Sequence, residues 1–207
     1  MCKTIEDSIF SGSLSWFTGI ILILTGKPKY LWGGFFILVV GTMQWVDTAI
    51  WYFRSKGWST DILTKRAVPI VLMMEIIVGY LGYVYYYGER MPWFEPVILL
   101  MIIYYLFVWP SRCGEATIAE DGYIQWCGGS DKTSTEKVLS YLSHTAIMLV
   151  LFFPFLFYPD IFMRNLIMAV GFILWLQTAG TDAFGSRWCH SFYVVDVFVL
   201  GKLALYG

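Results

Sequence analysis

Seven apolar stretches near the length of a membrane span alternate along the chain with polar connections: about Ser8 to Leu24, Leu31 to Phe53, Ala67 to Tyr87, Trp93 to Trp109, Val138 to Tyr158, Ile161 to Ala179 and His190 to Tyr206. A helix needs about 20 apolar residues to cross the hydrocarbon core, and each stretch comes close to that length. The pattern predicts an all-α integral membrane bundle of seven transmembrane helices, a single domain over 1–207 whose loops are too short to hold a soluble unit. Lys27-Pro28-Lys29 follows the first stretch without a small-residue cleavage pattern, so that stretch reads as the first helix and not as a cleaved signal.

The long connection, 110–137, lies between the fourth and fifth stretches. It carries β-prone runs, Thr117-Ile118-Ala119 and Tyr123-Ile124-Gln125-Trp126, on either side of Asp121-Gly122, which predicts a short β-hairpin. A two-residue turn there sets Ala116, not Cys113, opposite Cys127. Thr133-x-x-Glu136 reads as a capping box opening the fifth helix. The loop is either a surface ornament or a lid over a site on its face.

Composition sharpens the class. Charged residues make up 14 % and hydrophobic ones 58 %, against about 25 % charged in an ordinary soluble domain, so the bilayer is the expected solvent. A net charge of -1 leaves no basic patch for nucleic acid. Lys3, Arg54, Lys56, Lys65, Arg66, Arg112, Lys132, Lys137 and Arg187 fall on one side, and outnumber Lys27, Lys29, Arg90 and Arg164 on the other. That excess predicts a cytoplasmic N-terminus and a C-terminal end on the opposite side, and disfavours a Cys113–Cys127 disulfide. Cys2 and Cys189 share that side too, but no CxxC spacing suggests zinc.

Within the second stretch Gln44, Asp47, Thr48 and Trp51 recur at helical spacing, placing a carboxylate and an amide on one face. An ionisable group at that depth costs roughly 3 kcal/mol without a partner or a wet cavity, so it marks a candidate site. Counting from the nearer loop at 1.5 Å per residue, Asp47, Glu75, His144 and Asp196 all lie roughly 9 to 13 Å inside the same face. Ser11, Ser13, Ser15, Gln177 and Thr178 belong to the same half, and the other half is nearly all apolar. The expected feature is a polar cavity open to one side. Each member also has a structural reading: Asp47 bonded to Gln44 or a serine, Glu75 with no second polar group on its face, His144 as a core histidine, and Asp196 paired with the phenol of Tyr193.

Three pieces resemble a family of small multi-pass membrane proteins of bacteria, protists and large DNA viruses that has no assigned activity. They are Met1-Cys2, the run Met43-Gln44-Trp45-Val46-Asp47 through Trp51, and Gly185-Ser186-Arg187-Trp188-Cys189 before the last helix. The chain departs from that pattern at Lys3-Thr4 and at Glu75-Ile76. The resemblance implies a shared architecture and adds Ser186, Trp188 and Cys189 to the residues on the polar face.

Three functions fit these residues. One is binding or transport of a small polar or amphiphilic ligand, or of a proton, with Asp47 and Glu75 titrating, Gln44 and Trp51 shaping the pocket, and His144 and Asp196 contributing. Another is a metal-dependent, membrane-embedded lipid hydrolase with His144, Asp47, Asp196 and His190 as ligands, although seven-helix ceramidase-like hydrolases use three histidines and this chain has two. The third is a structural or assembly role, homo-oligomeric or otherwise, in which polar residues join helices and Gly33-Gly34 and Gly79-x-x-Gly82 let them approach closely. The bilayer is the expected partner, and no cofactor is specified: Lys202 lies six residues after Asp196, not at the four of a retinal-binding helix, and two histidines on separate helices are a weak haem signal.

Overall fold

The computed structural model describes residues 4–119, 122–126, 134–178 and 184–206, with side chains for all of these except 134–141, 144, 177–178, 184–191 and 206. Among them run seven helical segments and one two-stranded sheet. The first helix is Ile5–Leu24, the second Pro28–Ser55, the third Leu63–Tyr87 and the fourth Glu95–Arg112. The fifth is Ser134–Phe152 continued by a tighter turn over Phe153–Phe157, the sixth is Ile161–Thr178 and the seventh Phe184–Tyr206.

The ends of these helices are written in the sequence. The Thr4 hydroxyl caps the first helix by accepting from the Asp7 amide at 3.2 Å. Gly26, Gly57 and Gly88 follow the first three helices at φ +67°, +69° and +70°, a left-handed conformation that glycine takes without strain. Pro28 and Pro96 sit in first turns, where a missing N–H costs nothing, and Pro69 directly follows the wide turn Leu63–Ala67 within the third helix.

The first four helices are long and apolar enough to cross a membrane, and Thr145–Phe157 and Ile161–Leu176 are shorter apolar helices. Large apolar side chains cover the outside, among them Leu24, Phe107, Leu149 and Leu205. A water-soluble protein would bury such a surface, so the exterior agrees with a lipid environment.

Small residues set the helix spacing. A Cβ at Gly34 would stand 2.8 Å from the Gly19 carbonyl oxygen, and one at Gly41 2.8 Å from the Ser15 Cβ, so the first and second helices touch backbone to backbone. Gly82 makes room for the Trp32 indole, and Gly33 for the hydroxyl of Tyr158. Around them Trp32, Phe36, Phe155 and Phe192 form the aromatic centre of the core.

The hairpin forms, with a corrected register. Thr117 pairs with Gln125 and Ile118 with Ile124, and the Ala119 amide donates to the Tyr123 carbonyl at 2.8 Å. Three residues, not two, therefore make the turn, with Gly122 at φ +85° supplying its left-handed position. Cys113 is disulfide-bonded, contrary to the expectation from the Lys and Arg distribution; Cys2, Cys127 and the Cys189 side chain lie outside the described residues, as do Asp121, Thr133 and the Glu136 side chain.

Candidate functional site

The site begins at the second helix, where Gln44 and Asp47 are fully buried and Trp51 is half-buried. Thr48 spends its hydroxyl on the Gln44 carbonyl at 2.9 Å, which removes it from the polar face. The Cβ of Gln44 lies against Gly12, so the amide stands at the seam with the first helix. Asp47 Oδ1 accepts the indole N–H of Trp126 at 2.7 Å, inside the protein.

Trp126 follows the second strand, Ile124–Gln125, and the segment leading into the hairpin is fastened to the helices beneath. The Thr64 hydroxyl donates to the Gly114 carbonyl at 2.6 Å. The Ala116 amide donates to the Thr60 hydroxyl at 2.8 Å, and the Arg54 guanidinium donates to the Ala116 carbonyl. The Trp109 indole donates to the Thr64 carbonyl at 2.9 Å, within the wide, five-residue-bonded turn Leu63–Ala67 that opens the third helix. With Ala116, Ile124 and Trp126 all buried, the hairpin is a docked cover over Asp47.

Asp196 of the seventh helix is buried and takes the Ser15 hydroxyl on Oδ2 at 2.5 Å. Its Oδ1 has no hydrogen-bond partner among the described residues. Tyr193, the partner expected from i, i+3 spacing, turns outward instead, its ring 6.0 Å from that of Phe10. The first helix approaches closely enough for Ser15 to take that place.

Glu75 is different in kind. It is fully buried on the third helix, and neither carboxylate oxygen has a hydrogen-bond partner among the described residues. Its neighbours on the buried face are Val71, Leu72, Ile76 and Gly79. The Tyr105 hydroxyl of the fourth helix, buried and equally without a partner, lies within electrostatic reach of it. Tyr105 belongs to a π-helical stretch, Tyr104–Val108, a local widening frequently found at functional sites.

The buried carboxylates thus meet three different neighbours: Trp126 at Asp47, Ser15 at Asp196 and Tyr105 beside Glu75. Sequence reasoning missed Trp126 and Tyr105 as site residues. The side chains of His144, His190, Ser186, Trp188 and Cys189 lie outside the described residues. Among the described residues no three His, Cys, Asp or Glu side chains gather in a metal-binding group.

The opposite end of the bundle carries a separate cluster. Asp160 pairs with Lys202 at 2.5 Å and with Lys29 at 3.4 Å, and its Oδ1 caps the sixth helix by accepting the Met163 amide at 3.1 Å. Partial burial pushes this carboxyl upward, but the bonds from Lys202, Met163 and Lys29 outweigh that and hold it below the usual aspartate range. The cluster ties the second, sixth and seventh helices together and gives Lys202 its counter-charge.

The chain matches no family model, no curated protein and no solved structure.

Proposed function

We propose that the protein is a seven-span membrane protein that binds or carries a proton or a small polar ligand at its intramembrane carboxylates, on the side of the bundle covered by the hairpin. The observation that carries this reading is the full burial of Asp47, Glu75 and Asp196 on three separate helices, among which Glu75 has no donor among the described residues. A carboxylate without a partner is costly in such an interior, and a chain that keeps one supplies its counter-ion from outside. The test is proton or ligand movement across vesicles holding the purified chain, wild type beside Asp47→Asn and Glu75→Gln.

A structural role is favoured for two of the three groups by their own bonds. Asp196 holds the seventh helix to the first through Ser15, and Asp47 holds the hairpin through Trp126. Joining helices and binding a ligand are compatible here, because Glu75 is the group these bonds leave open. Orientation rests on opposed signals. The Lys and Arg excess places the hairpin side in the cytoplasm, whereas a disulfide at Cys113 needs an oxidising compartment on that side.

A further inference from the structure

We propose that Glu75 and Tyr105 together form a one-proton site between the third and fourth helices, with Glu75 carrying the proton and Tyr105 positioning it. This rests on the reading of the buried carboxylates as a binding site and names the ligand at one of them. Two polar groups, on different helices and both buried, have no hydrogen-bond partner among the described residues and stand within electrostatic reach of one another. Orphans of that kind are rare in folded proteins and call for an explanation.

A proton fits the surroundings better than a metal cation. Hard cations gather about six or more oxygen ligands. Among the described residues no side chain donates a hydrogen bond to the Glu75 carboxyl. Tyr105 is its titratable neighbour from the fourth helix. Asp47 of the second helix is engaged by Trp126, Asp196 of the seventh by Ser15, and the His144 side chain of the fifth lies outside the described residues. A proton added to one carboxylate oxygen cancels the charge and breaks no other bond.

Tyr105 suits both states of the site. A phenol donates to a carboxylate and accepts from a carboxylic acid, so the same hydroxyl serves Glu75 with and without the proton. The π-helical stretch Tyr104–Val108 offers the adjustment needed to close that bond, since one such turn re-aims its side chains when it relaxes to an ordinary helix.

Infrared spectroscopy of the full chain in lipid bilayers, in light and heavy water, tests this. The expected result is a carbonyl band of a neutral carboxylic acid that shifts in heavy water, disappears in Glu75→Gln, moves in Glu75→Asp, shifts in Tyr105→Phe and persists in Asp47→Asn. No acid band lost in Glu75→Gln and none moved in Glu75→Asp would overturn the site. A band abolished by sodium chloride at constant pH would replace the proton with a cation and leave the binding reading standing. A band indifferent to Tyr105→Phe would remove Tyr105 from the site. Should the Glu75 band appear while Glu75→Gln moves protons across vesicles as wild type does, the proton site stands and the transport reading falls.

Discussion

The indole N–H of Trp126 donates to Asp47 Oδ1 at 2.7 Å across 79 residues of chain, joining the base of the hairpin to a carboxylate of the second helix. Both side chains are buried, so this bond fixes what covers the polar face of that helix. It turns an expensive group into an anchor for the hairpin.

Removing the donor should loosen that cover. Trp126→Phe keeps the ring's apolar bulk but leaves Asp47 Oδ1 without the indole, at an expected cost of about 1–3 kcal/mol. Asp47→Asn in the same background should cost less than it does alone, because the pair is already broken. Thermal unfolding of the four proteins in detergent gives the coupling, and strictly additive effects would deny the bond its role.

Close helix approach is tested at Gly34. An added Cβ would meet the backbone carbonyl of Gly19 at 2.8 Å and Ile23 Cγ1 at 2.8 Å, and backbone cannot step aside as a side chain can. Gly34→Ala should therefore destabilise the protein by about 1–3 kcal/mol, whereas Gly201→Ala, with open space around it, should lie within about 0.5 kcal/mol of wild type. Denaturation midpoints in one detergent compare the two.

The pH dependence of stability should carry the mark of Asp160. Its folded carboxyl lies below the ordinary value, so its contribution is present above the unfolded aspartate pKa of about 3.9 and is lost as pH falls through the lower folded value. Asp160→Asn should lower stability at neutral pH and flatten the acid limb of the curve. Unfolding followed between pH 3 and 7, at roughly unit steps, would show an unchanged acid limb if the two lysines contribute nothing.

The Cys113 disulfide makes an expectation about the compartment. Cross-linked Cys113 in intact cells, resistant to alkylation until reductant is added, goes with a hairpin on the oxidising side of the membrane. A free, alkylated thiol together with a cytoplasmic reporter fused at the hairpin would return the orientation that Lys and Arg indicate. Peptide mapping after alkylation also identifies the partner cysteine.

Much of the fold was legible because its signals are local. Apolar runs, a proline in a first turn and a glycine beyond a last turn placed the helices, although the second reaches Ser55 and the seventh starts at Phe184, beyond the apolar stretches themselves. The hairpin was legible and its register was not, because Asp121-Gly122 suits a two-residue turn and a three-residue turn equally well in sequence. The site was half visible. Asp47, Glu75 and Asp196 announced themselves as carboxylates in apolar helices, and all three are buried. Their neighbours were hidden: helical spacing proposed Tyr193 for Asp196, but the partner is Ser15, 181 residues away. Tyr105 looks like any other aromatic in a membrane helix until its hydroxyl is seen without a partner beside Glu75.

Proton movement into vesicles is the measurement that bears most directly on the function. Purified chain is reconstituted with a pH-sensitive dye inside, a pH step is applied outside, and wild type is compared with Glu75→Gln and with Gly201→Ala as a folded control. Under the proposed function, wild type should dissipate the gradient faster than empty vesicles, and Glu75→Gln should lose most of that excess, as removal of an essential proton-transfer group does. Wild type and Glu75→Gln moving protons at the same rate, with both proteins folded, would contradict it.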